Sequence, residues 1–155
     1  MDLAKNLKIE SVSRLNLPAP LVLAPGDSVR RAVQQMQEKR MGCLVVCEEH
    51  RVVGVFTERD LVKRIVAANR PLETPLRECM TPNPATVHEK ETIGSAVRRM
   101  QQGGYRHLPV VDRAGQPIGM LSVKRIVRYL VEHFPATVYN QPPDPNVVQQ
   151  DREGA

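Results

Sequence analysis

The chain of 155 residues repeats itself, and no other feature restricts its fold as tightly. PLVLAPGDSVRRAVQQM (Pro20 to Met36) aligns with PATVHEKETIGSAVRRM (Pro84 to Met100) at a constant offset. Val29 meets Ile93, Ala32 meets Ala96, Val33 meets Val97 and Met36 meets Met100. Spacings of three and four put these apolar residues on one face of a helix. After one inserted residue in the second copy, MGCLVVCEEHRVVGVFTERDLVKRIV (Met41 to Val66) runs beside RHLPVVDRAGQPIGMLSVKRIVRYLV (Arg106 to Val131). Gly54 then meets Gly119, and Thr57 meets Ser122. Self-similarity of this extent is one supersecondary unit used twice.

Each copy reads as β-α-β-β-α. A short strand (Leu21 to Leu23; Ala85 to Val87) leads to a turn, and Asp27 or Glu91 opens an amphipathic helix with an acidic start that suits the helix dipole. Two β-branched runs follow in each copy, Cys43 to Val46 with Val52 to Phe56, and Leu108 to Val111 with Ile118 to Leu121. The polar connections EEHR and DRAGQP read as hairpin loops. A last helix begins at Thr57 or Ser122, both residues that cap helices well. The expected fold class is therefore α/β, two tandem β-α-β-β-α repeats related by a pseudo-two-fold axis. Residues 17–69 form the first repeat and 81–134 the second. Residues 70–80, within a stretch carrying Pro71, Pro75, Pro82 and Pro84, read as a linker. Residues 1–16 form a leader in which Leu3, Leu7, Ile9 and Val12 suggest a short packed helix, and 135–155 read as a flexible tail.

With three Tyr, two Phe and no Trp, the core must be built from Val, Leu, Ile, Met and Ala. A net charge of +5 favours anionic partners without choosing among them. The N-terminus has no apolar signal region and no stretch reaches membrane-spanning length, so a cytoplasmic protein without a membrane partner is expected. Three cysteines, Cys43, Cys47 and Cys79, make no even disulfide framework. Cys43, Cys47 and His50 do not match common zinc spacings, so no metal site is expected. There is no P-loop, no G-x-G-x-x-G and no Ser-His-Asp arrangement. No general base can be assembled opposite a substrate, so neither an enzyme nor a catalytic cofactor is expected.

Chemistry concentrates at the two strand-to-helix junctions, GVFTERD and GMLSVKR. In each, a glycine permits close approach to the backbone, and a hydroxyl sits at a helix N-terminus, where free N–H groups favour an anion. Asp60 lies one turn further on, where a carboxylate accepts hydrogen bonds from a ribose diol. Taken by themselves, Thr57 and Asp60 are capping residues.

MTPNPATV before the strand, GYRHLPVVD at the hairpin, and GVFTERDLV and GMLSVKRIV at the last helices resemble, in that order, the cystathionine-β-synthase (CBS) domain. CBS domains occur in tandem pairs called Bateman modules, and the resemblance covers roughly residues 15 to 134. It implies a regulatory sensor that binds adenine nucleotide (AMP, ADP or ATP, with S-adenosylmethionine as another candidate). Such a sensor acts by ligand-dependent rearrangement on an unidentified regulated protein, and pairs associate through their helices into a homodimer. Carried onto this chain, Thr57 and Asp60 hold phosphate and ribose, and Val55 lines the base pocket. Pro84, Ala85, Tyr105 and Pro109 come from the second copy, and Arg106 reaches the phosphates, with His107 and Arg59 as further contacts. Arg106 and His107, as strand neighbours, should point to opposite faces. The second cleft, at Leu21, Met41, Ser122 and Arg125, departs from the pattern. Arg125 replaces the aspartate and cannot accept from ribose hydroxyls, so that cleft is expected to be empty or altered. The alternative reading is a nucleic-acid-binding protein, because Arg98, Arg99, Arg106, Arg113, Lys124, Arg125 and Arg128 concentrate charge in the second copy. Against it, Tyr105 is the sole plausible stacking aromatic.

Overall fold

A computed structural model describes residues 3–134; the expected flexible tail, 135–155, lies outside the described residues. Helix α1 (Leu3–Ile9) and a 3-10 turn (Val12–Leu15) precede the first repeat. That repeat comprises β1 (Val22–Leu23), α2 (Val29–Lys39), β2 (Cys43–Glu48), β3 (Arg51–Thr57) and α3 (Glu58–Asp60). Helix α3 runs directly into a π-helical stretch, Leu61–Val66. A 3-10 turn (Leu76–Glu78) and β4 (Thr81–Pro82) connect to the second repeat, made of β5 (Val87–His88), α4 (Ile93–Gly103), β6 (His107–Val111), β7 (Pro117–Ser122) and α5 (Val123–His133). Two tandem β-α-β-β-α repeats are thus present, as expected.

Both repeats use the same local chemistry. Helices α2 and α4 are capped by Ser28 and Thr92, whose hydroxyls accept from the N–H of Arg31 and Ser95 at 3.1 Å. The cap therefore falls one residue later than Asp27 and Glu91. Asp27 instead accepts from Ala24 N–H at 2.8 Å, and Glu91 holds Arg99 at 2.7 Å. In each repeat the first strand pairs parallel with the second, and the second antiparallel with the third. The sheet orders are β1-β2-β3-β4 and β5-β6-β7. Val29, Ala32 and Met36 enter one core and their counterparts Ile93, Ala96 and Met100 the other. The apolar face shared by the copies is the face each one buries.

The segments preceding the repeats are exchanged. The 70–80 segment packs on the first repeat: Leu76 and Cys79 are fully buried there, Leu76 N–H donates to Asp27 O, and Pro75 bridges Ser28. The leader, which leads into the first repeat, packs on the second. Val12 and Leu15 join its core, Val12 N–H donates to Glu91 O, and Ser11 bridges Thr92. Val12 occupies in the second repeat the place that Leu76 holds in the first. This reciprocal strapping is what a pseudo-two-fold relation between the repeats produces. Gly54 and Gly119 admit close neighbours: a Cβ on Gly54 would collide with Met80 Sδ of the 70–80 strap, and one on Gly119 would lie 3.1 Å from Cβ of Leu17, which follows the leader.

Candidate functional site

The β3–α3 junction is built by a reciprocal cap. Thr57 Oγ accepts from Asp60 N–H at 3.2 Å, while Asp60 Oδ2 accepts from Thr57 N–H at 3.0 Å. Two donors left free by the helix start are thereby satisfied. The Asp60 side chain is consequently turned inward, and the residue is 7% exposed. Its other oxygen accepts from Thr81 Oγ at 3.1 Å and lies 3.5 Å from Arg64 Nε. Arg64 also donates to the Met80 carbonyl at 2.6 Å. Asp60 thus ties the first repeat's last helix to β4, the strand that leads to the second repeat. The helix beyond it is widened by bonds from Ala67 N–H to Val62 O and from Arg70 N–H to Ile65 O, both 2.9 Å. Insertions of this π type recur at functional sites.

Beside this junction opens a cleft of about 490 Å³ that both repeats line. The first repeat supplies Gly42, Val55, Thr57, Glu58 and Arg59; β4 supplies Thr81; the α4–β6 connection supplies Gly104, Tyr105 and Arg106, and the start of β6 supplies His107. Six expected residues therefore come together: Val55, Thr57, Arg59, Tyr105, Arg106 and His107. Arg106 and His107 both line the cleft, despite being neighbours. Arg106 precedes β6, so strand alternation does not separate the pair. Tyr105 is 41% exposed at the rim, held after Gly104, which turns the chain with φ +68°. His107 is held below its ordinary value of 6.5, mainly by burial; the Arg106 charge acts in the same direction and Glu58 opposes it.

The remaining expected residues sit elsewhere. Asp60 lies behind the cleft wall in its capping network. Pro84 is half-buried between β4 and β5, Ala85 packs against the second core, and Pro109 is buried in mid-strand opposite Met120. Thr81, Glu58, Gly42 and Gly104 were not foreseen. The repeat alignment held the signal for Gly42, since it is the counterpart of His107. In the second half-site, Ser122 caps α5, accepting from Arg125 N–H at 3.1 Å. Leu21 packs against the first core, and Met41 lines a different hollow. Arg99 is withdrawn from the basic face by its paired bonds to Glu91, 2.7 and 3.0 Å.

The cysteines fit a structural role. Burial pushes the Cys43 thiol up to about 12, with Asp60 adding in the same direction. A bulge between Val46 and Cys47 breaks the alternation that would have put Cys43 and Cys47 on one face. Among the described residues, no group of three or more His, Cys, Asp or Glu is arranged to hold a metal ion, and no helix is long and apolar enough to cross a membrane.

A duplicated α/β unit with an inter-repeat cleft beside a capped helix start defines a class of tandem binding module. Residues 12–67 and 76–132 each match the CBS domain, and the chain belongs to that family as a tandem pair. It is 34% identical over 122 residues to an uncharacterized 17.7 kDa protein of Acidianus ambivalens, covering 78% of this chain and 73% of that one. It spans only 21% of a longer CBS domain-containing protein of Arabidopsis thaliana, to which it is 33% identical over 72% of its own length. Among solved structures, a CBS domain protein from Pyrobaculum aerophilum complexed with AMP superposes with TM-score 0.70 at 26% identity, covering 79% of this chain and 98% of that one. A CBS domain pair in complex with 5′-methylthioadenosine and S-adenosylmethionine superposes with TM-score 0.73 at 25% identity, covering 80% and 98%.

Proposed function

We propose that this chain is a regulatory module that binds one adenosine nucleotide in the cleft between its repeats. The convergence of Thr57, Arg59 and Arg106 from the two repeats on one cleft carries this reading. Two guanidiniums and a helix start favour a phosphate, and Val55 and Tyr105 offer apolar surface to a base. The AMP and S-adenosylmethionine complexes of the structural relatives support the ligand class. A ribose hydroxyl that reaches Asp60 competes with the Thr81 hydroxyl for the carboxylate. Binding then loosens the tie between α3 and β4, which gives the ligand a preferred arrangement of the repeats.

The output passes to a separate protein or through a homodimer. Val62 and Val66 beside α3, and Val123 and Val127 on α5, are 58%, 68%, 45% and 53% exposed, and they supply an apolar surface for a second copy.

Isothermal titration with AMP, ADP, ATP and S-adenosylmethionine tests the ligand. The expected result is binding near one site per chain, lost in Asp60→Ala and weakened in Arg106→Ala, which leaves the capping network intact. Absence of heat with all four on the folded wild type would overturn the reading. Binding of nucleic acid with steep salt dependence and no sensitivity to Asp60→Ala would favour the nucleic-acid alternative instead.

A further inference from the structure

A hollow of about 380 Å³ lies between the β2–β3 and β6–β7 hairpins, at the opposite end of the strands from the nucleotide cleft. Strand β3 runs from Arg51 in the hollow to Thr57 in the cleft, a span of about 20 Å, and the two share no residue. The first hairpin contributes Arg51 and Val52, the second Val111, Arg113 and Gly115, and the segment before β5 adds Thr86. Val52 and Val111 are half-buried apolar surface, whereas Arg51 and Arg113 are exposed. Neither guanidinium has an ion-pair partner among the described residues, and the Thr86 hydroxyl is equally free. No acidic side chain lines the hollow. Asp112, next to Arg113, is engaged in its own turn, where Oδ1 accepts from Ala114 and Gln116 N–H at 2.9 and 3.0 Å.

The pseudo-two-fold supplies an internal comparison. The equivalent hollow on the other side, about 450 Å³, is lined by Val22 and Gln116, the counterparts of Thr86 and Arg51. Glu48 stands where Arg113 does. The arginine that does line it, Arg31, is paired with Asp27 at 2.9 Å. The fold therefore does not demand the free cations, which gather in one of two equivalent places. Two unpaired guanidiniums and a hydroxyl, brought by both repeats to a valine surface, are complementary to a phosphate on a compact apolar body. A cation would meet repulsion there, and a wholly apolar ligand would leave both charges unused. We propose that this hollow is a second anion site, one that takes the phosphate of a small monoester. The chemistry has two sources, inorganic phosphate or an organic monoester, and neither rests on the nucleotide reading above.

The probes are inorganic phosphate and phenyl phosphate, titrated into the full chain at constant ionic strength, with and without saturating AMP. Phenyl phosphate is expected to bind whether or not AMP is present. Arg51→Gln, Arg113→Gln and Thr86→Val should each weaken it by about five-fold or more, since each removes a donor to the phosphate. Arg98→Gln, which removes an exposed charge elsewhere on the second repeat, should change nothing. Inorganic phosphate binding equally tightly assigns the site to the free ion; weaker binding assigns it to a monoester whose body covers Val52 and Val111. Equal weakening in Arg98→Gln would reduce the effect to net charge and overturn the site. So would absence of binding, or binding that AMP abolishes and the hairpin variants leave untouched, which would place the phosphate in the nucleotide cleft. Binding of a single-stranded oligonucleotide that needs Arg51 and Arg113, with none of phenyl phosphate, overturns the monoester site in favour of a nucleic-acid surface.

Discussion

Asp60 holds two positions at once. It closes the cap of α3 and accepts from Thr81 across to β4, both from a carboxylate that is nearly sequestered from water. Removing it leaves Thr57 N–H and the Thr81 hydroxyl short of a partner. Asp60→Ala is expected to destabilise the chain by about 1–3 kcal/mol in urea unfolding. A variant as stable as wild type would show that the network contributes nothing. His107 gives a second prediction, in pH. Its folded-state value lies below 6.5, so the unfolded chain takes the proton first as pH drops past 6.5. Unfolding free energy should therefore fall with pH in the window below 6.5 and be indifferent to His107 above it. In His107→Gln that part of the decline should vanish, as unfolding at pH 7.5 and pH 5.5 would reveal. A phosphate beside the ring raises its value again, so AMP binding near pH 6 should take up protons. Titrations in buffers of different ionisation enthalpy measure that uptake.

At the scale of the element, the two hairpins solve one problem differently. Glu48 pairs with Arg51, leaving a two-residue turn in which Glu49 and His50 both have positive φ, 50° and 65°. Such turns match strand twist but favour Asn-Gly. The second hairpin spends more residues, places Gly115 at φ +80°, and lets Asp112 accept from Ala114 and Gln116 N–H. His50→Gly is expected to stabilise the chain by about 1 kcal/mol, because an L-residue in this region costs about 1–2 kcal/mol; the melting temperature reads it. The hairpins, the helices and their apolar faces were legible because each follows from local periodicity and capping. The straps were not. Leu76 and Cys79 sit among prolines with no period, and the leader's counterpart segment aligns too weakly to announce that each serves the other repeat. Likewise Thr57 was readable from the strand-to-helix junction, and Arg59 and Arg106 through the family resemblance, whereas Glu58 enters the cleft wall through a neighbour relation that only the folded chain creates.

Across the whole molecule, the straps make the two repeats one cooperative body, since neither core closes without a segment belonging to the other's lead-in. That construction settles the repeat-to-repeat contact and leaves the helix faces beside α3 and on α5 for something else. Val62 and Val127 are equivalent positions in the two copies, and both are more than half exposed. Duplication alone would not keep valine outward twice: Lys63, Arg64, Lys124 and Arg125 alongside show that polar residues are accommodated on the same helices. A second copy seated there buries valines from both repeats symmetrically, as a closed two-fold assembly requires. The double variant Val66→Glu with Val127→Glu places charges on this surface without touching either core. Light scattering after gel filtration should give a mass near twice 17.4 kDa for the wild type and near 17.4 kDa for the variant. Thermal unfolding of the variant should remain cooperative. A monomeric wild type would remove the dimer, and a dimeric double variant would move the interface off these helices. Because the cleft is assembled within one chain, the monomeric variant should still bind nucleotide, and any loss of regulation with binding intact would locate the output at the dimer surface.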